Sequence, residues 1–81
     1  MLPPDQGAML SRNLRYLRKK KGLTQKNLVT LTGISLPILR SMERGRVIPT
    51  LTEARLKDLA MIFSVSVEDL LHKDLQALRV L

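Results

Sequence analysis

Apolar residues recur along most of this chain three and four positions apart, the spacing of a helix face, and nowhere in the two-residue alternation of a strand. From about Ala8 the positions Leu10, Leu14 and Leu17 form one such face, with Arg12, Arg15, Arg18 and Lys19 between them, and Gly22 supplies a left-handed stop. Thr24 is an N-cap for a second helix of about two turns, carried by Leu28 and Leu31, which must end near Thr32 and Gly33. Ser35 is a cap for a third, with Leu39 and Met42 on one face and Gly45 closing it; Pro37 falls in its first turn, where a missing N–H costs nothing. Thr50 and Glu53 match a capping box before a fourth helix through Ala54, Leu56, Leu59, Ala60 and Phe63. Ser66, Val67, Glu68 and Asp69 open a fifth, with Leu70, Leu71, Leu75 and Leu78 following. Met1 to Gly7 holds Pro3, Pro4 and Gly7 and has little to bury, so it reads as a flexible arm. The pattern predicts an all-α fold of five short helices.

Eighty-one residues, 44% of them apolar, suffice for one domain and leave no room for a separate catalytic or effector-binding one. There is no cysteine and a single histidine, His72, so a metal site is not expected, nor is any cofactor. No apolar run approaches the roughly 20 residues needed to cross a bilayer, and no signal-peptide pattern opens the chain, so a soluble, cytoplasmic protein without a membrane partner is expected. Charge changes the picture more. The formal net charge is +7, and residues 12–46 carry ten Lys or Arg against one acid, Glu43, while residues 47–81 carry four bases and five acids. So one-sided a field suits a partner bearing phosphates; a solvated basic face or an anionic lipid surface are the alternatives that charge alone leaves open.

Two short helices joined by a glycine-containing turn form the helix-turn-helix layout, in which the second helix enters the major groove of DNA. The residues of helices two and three resemble one family of that layout: Leu23-Thr24-Gln25, Leu28, Gly33-Ile34-Ser35, Leu39, Met42-Glu43-Arg44-Gly45 and Pro49-Thr50-Leu51 are similar to the Cro/cI-type (XRE) domain of the phage-repressor class. The likeness covers roughly Leu10 to Leu71, which sets a DNA-binding domain at 8–73 between the arm at 1–7 and a tail at 74–81. One departure is visible: the Leu56, Leu59, Ala60 pattern sits about two residues later than the family spacing, which puts the start of helix four in question.

The resemblance implies roles for particular residues. Thr24 and Gln25, at the start of helix two, would meet backbone phosphate, as would Arg44 and Arg46 after helix three. Glu43 would pair with Arg18, a structural ion pair rather than a catalytic carboxylate. Leu36, Pro37, Arg40 and Ser41 would lie on the exposed face of the recognition helix and contact bases. That face is short of the side chains that usually read base edges: only Arg40 and Ser41 can hydrogen-bond, while Leu36, Pro37 and Ile38 offer apolar surface. Three roles fit such a tip: contact with thymine methyls, docking of another protein, or packing against the turn at Ile34.

Beyond Leu71 the apolar residues Leu75, Leu78 and Leu81 exceed what a small monomer can cover, which suggests a homodimer through the tail; folding back onto helices one and four is the alternative. The expected function is a dimeric, sequence-specific repressor of transcription bound to double-stranded DNA. A DNA-binding antitoxin with a toxin as protein partner and a protein-binding adaptor are the competing readings. No nucleophile–base pair, carboxylate pair or glycine-rich phosphate loop supports an enzyme.

Overall fold

The computed structural model describes residues 4–46 and 52–78. Among them are six helices and no strand: α1 (Pro4–Lys20), α2 (Gln25–Thr32), α3 (Leu36–Glu43), α4 (Glu53–Ile62), α5 (Val67–His72) and α6 (Leu75–Leu78). The first five each contribute one leucine with no exposed surface: Leu14, Leu28, Leu39, Leu59 and Leu70. Leu10, Ile34, Met42, Leu56 and Phe63 complete this core, against which Ile38, Ile62 and Leu71 pack from its edge. Truncating any of these leucines to alanine would leave a cavity costing about 2–5 kcal/mol.

Local chemistry accounts for the helix ends. Thr24 accepts a hydrogen bond from the Asn27 amide (3.0 Å), and the Asn27 side chain accepts one from the Thr24 amide (3.0 Å), a closed capping box. Gly33 ends α2 at φ 75°, where a side chain would be strained. Arg55 of α4 donates to the Thr32 carbonyl (2.5 Å), so an orphan carbonyl at the end of α2 is satisfied from a neighbouring helix. Ser66 caps α5 by accepting from the Asp69 amide (2.9 Å).

Four expectations need correction. Helix α1 begins at Pro4, not near Ala8, so most of the expected arm is helical. Proline suits the first turn, and Gly7 is buried, which explains a glycine inside the helix. Helix α4 is capped by Thr52, whose hydroxyl accepts from the Arg55 amide (3.2 Å); Thr50 lies outside the described residues. The start is thus two residues later than the Thr50 box implied, matching the shifted leucine pattern. Ser35 stands at the N-cap of α3 with extended backbone but makes no side-chain cap bond.

The expected fifth helix is in fact two. Lys73 turns to an extended conformation (φ −102°, ψ 139°), and Asp74 accepts from the Ala77 amide (3.2 Å) to start α6. Asn13 of α1, fully buried, holds this break. Its amide donates to the carbonyls of Leu70 (2.8 Å) and Lys73 (2.7 Å), and its carbonyl accepts from the Leu75 amide (3.1 Å). One side chain therefore replaces the hydrogen bonds that a continuous helix would have made. Leu75 is half-buried where α6 meets α1, so the described part of the tail lies against helix one. The side chain of Leu78, and all of Leu81, lie outside the described residues.

Candidate nucleic-acid interface

The core fixes which side of α3 faces outward. Leu39 and Met42 point inward and Ile38 packs at the core edge, which leaves Pro37, Arg40 and Arg44 exposed along one stripe at steps of three and four. Leu36 and Ser41 flank that stripe half-buried. With Ile38 turned to the core, the exposed apolar tip reduces to Pro37 and part of Leu36. The sequence placed Ser35 only as a cap, yet its hydroxyl, free of any cap bond, is exposed at the start of the same helix. Proline at the second position of α3 removes one of the donors such a cap would serve.

The start of α2 is aimed outward as well. The Thr24 cap satisfies the third amide of the helix, while the amides of Gln25 and Lys26 have no acceptor within it, and the positive end of the helix dipole lies there. Arg46, past the end of α3, is exposed, and its amide donates to the Ser41 carbonyl (3.0 Å).

The two helices are locked to α1 by a buried ionic cluster. Arg18 meets Glu43 with two parallel hydrogen bonds, Nε to Oε2 at 2.7 Å and Nη2 to Oε1 at 2.9 Å, and its third arm donates to the Leu23 carbonyl (2.9 Å). Glu43 is 4% exposed. Gln25 donates to the same carboxylate (3.2 Å), which leaves its second amide hydrogen for an outside acceptor. Ser11 of α1 donates to the Glu43 carbonyl (2.5 Å). The end of α3 and the start of α2 are thereby fixed relative to each other through a side chain of each. Sequence reading missed the Gln25, Ser11 and Asn13 contacts: a polar residue on a helix face gives no sign of whether its partner is water or a distant backbone. No group of three His, Asp or Glu able to hold a metal occurs among the described residues.

This arrangement has known counterparts. A helix-turn-helix family model matches residues 14–70, from the middle of α1 to the core leucine of α5. The chain belongs to the XRE family of helix-turn-helix regulators. It is similar to the HTH-type transcriptional regulator DdrOP3 of Deinococcus deserti, with 40% identity over 63 residues, 78% of this chain. That stretch spans 47% of DdrOP3, just under half its length. It is also similar to the uncharacterized HTH-type transcriptional regulator YazB of Bacillus subtilis, 37% identical over 73% of this chain and 83% of YazB. Among solved structures, a hypothetical transcription factor from Neisseria, NHTF, superimposes with a TM-score of 0.75 at 25% identity, covering all of this chain and 93% of that one. The XRE assignment makes this a DNA-binding, transcription-regulating fold. It also gives the second and third helices, α2 and α3, the positions of the helix-turn-helix pair.

Proposed function

We propose that this XRE-family protein is a dimeric, sequence-specific repressor that sets α3 in the major groove of operator DNA. The observation that carries the proposal is the exposed stripe Pro37, Arg40, Arg44 on a helix whose other side is anchored in the core and in the Arg18–Glu43 cluster. Arg40 is the residue able to bond guanine in two places, Ser41 and Ser35 can make single hydrogen bonds, and Leu36 with Pro37 suits a thymine methyl. The free amides at the start of α2, the spare hydrogen of Gln25, and Arg44 and Arg46 bind phosphate and fix register on the duplex, with the Thr24 hydroxyl beside them.

Size supports dimerism. An eight-residue helix is about 12 Å long and reads only a few base pairs. The described chain measures 34 × 28 × 20 Å, so one copy occupies one half-site and a second copy is needed to reach the next turn of the groove. Since α6 lies against α1 and Leu75 is half-buried there, the described tail offers a second copy only the outer side of Leu75 with the exposed Gln76 and Ala77. The protein-docking alternative has less to stand on once Ile38 is assigned to the core edge, because the remaining apolar surface is small.

Selection of tight binders from a random duplex pool tests the proposal. Recovery of a palindromic site with half-sites about one helical turn apart is the expected result. Recovery of no preferred sequence would refute it.

A further inference from the structure

Helix α1 has a third side that neither the core nor the α2–α3 unit uses. Ser11 and Arg18 on one flank hold Glu43 of α3, and Asn13 on the other holds α5 and α6. Between them lies an open groove of about 680 Å³, walled by Arg12, Arg15, Tyr16, Lys19 and Lys20 of α1 and by Gln76 of α6. Its volume falls within the roughly 300–1,000 Å³ of small-ligand sites.

Most of the positive charge in this groove has no acid paired with it. On α4 and α5 the exposed lysines have acids four residues away, Lys57 with Glu53 and Lys73 with Asp69. Helix α1 has no acid after Asp5, and of the four groove cations only Arg12 meets a carboxylate, Asp74 at 3.0 Å. Lys20 lies over the Tyr16 ring, 5.6 Å from its centre. Basic residues in a last helical turn complement the dipole, which accounts for Lys19 and Lys20; Arg12 and Arg15 stand in the middle of the helix, where that benefit has faded. At about 1.5 Å per residue, Arg12, Arg15 and Lys19 form a cationic row about 10 Å long. That matches a short chain of phosphates better than a single anion.

We propose that this groove binds an oligophosphate, either as the phosphate chain of a nucleoside triphosphate or as inorganic polyphosphate. Arg15 and Lys19 bind the phosphates, Arg12 exchanges Asp74 for the ligand, and the Gln76 amide donates from the α6 side. Because Asp74 starts α6, occupancy of the groove bears directly on how the tail is held to α1.

Isothermal titration of the full chain, free of DNA and at near-physiological salt, with sodium tripolyphosphate and with ATP, tests the proposal. Saturable binding is expected, weakened about a hundredfold in the Arg15→Ala/Lys19→Ala variant, since each charge-assisted contact is worth about tenfold. Arg40→Ala, which does not line the groove, should bind as well as the parent. Equal affinity for the two ligands identifies the phosphate chain alone as the ligand; tighter binding of ATP, lost in Tyr16→Leu, identifies a nucleotide. Circular dichroism confirms that the variants remain folded. Absence of saturation, or equal weakening by Arg40→Ala, overturns the proposal. So does an Arg15→Ala/Lys19→Ala variant that lowers the salt dependence of duplex binding while the parent takes up neither ligand.

Discussion

Replacing Glu43 with alanine should remove a large share of this protein's stability. The carboxylate accepts from Arg18 Nε (2.7 Å), Arg18 Nη2 (2.9 Å) and Gln25 Nε2 (3.2 Å), and its loss leaves the Arg18 guanidinium with the Leu23 carbonyl as its remaining acceptor. The Arg18 side chain is only 12% exposed, so water cannot readily substitute for Glu43. Removing one partner of a buried pair costs about 3–5 kcal/mol. Arg18 reaches the edge of solvent, which sets the expectation at the lower end, about 3 kcal/mol. A domain of 81 residues has a total stability of roughly 4–12 kcal/mol, so this one change removes between a quarter and most of it. The double variant Arg18→Met/Glu43→Leu removes both charges together and should recover to within about 1 kcal/mol of the parent. Urea unfolding followed by far-UV circular dichroism, on Glu43→Ala and on a double-mutant cycle with Arg18→Met and Glu43→Leu as its single variants, measures both. A loss below about 1 kcal/mol for Glu43→Ala would show the pair behaving as an exposed one and refute the lock. A double variant no better than the single would refute the assignment of the cost to an abandoned buried charge.

Other expectations follow from single contacts. Asn13→Ala should cost about 1–3 kcal/mol, and hydrogen exchange should find the Leu75 amide unprotected while core amides such as Leu28 still exchange only on global unfolding. Ser64 sits at φ 55° in the turn between α4 and α5, so Ser64→Gly should raise stability by about 0.5–1 kcal/mol in the same unfolding assay. Arg44→Ala and Arg46→Ala should each weaken duplex binding alike for all sequences and reduce the log–log salt slope by about one unit, measured by fluorescence anisotropy across a salt series.

Much of this architecture is written in local chemistry. Leucines three and four apart place the helices, and Thr24, Gly33 and Ser66 mark their ends by mechanisms that operate within four residues. The family likeness, spread over several ordered matches, pointed to the Arg18–Glu43 pair, which the structure brings together at 2.7 Å. What was not legible depends on distant partners. The break between α5 and α6 lies in a stretch whose leucines keep helical spacing, and it is held by Asn13, some sixty residues earlier in the chain. The Arg55 bond to the end of α2 is of the same kind. Pro4 and Gly7 in a stretch with little to bury suggest a flexible arm, but a proline in the first turn and a buried glycine are compatible with a helix. The recognition face lay between these extremes: its residues could be named from the family pattern, but only packing shows that Ile38 turns inward and leaves the stripe Pro37, Arg40, Arg44.

In the proposed complex α3 reads base sequence through Arg40. The most direct test of this compares the parent and Arg40→Ala on the selected operator and on a scrambled duplex at matched salt. A single bidentate contact to guanine is worth about 1–3 kcal/mol of discrimination, so the ratio of the two affinities should fall by roughly 5- to 150-fold while binding to the scrambled duplex changes little. If both affinities drop by the same factor, Arg40 holds phosphate rather than a base, and α3 does not read sequence through it.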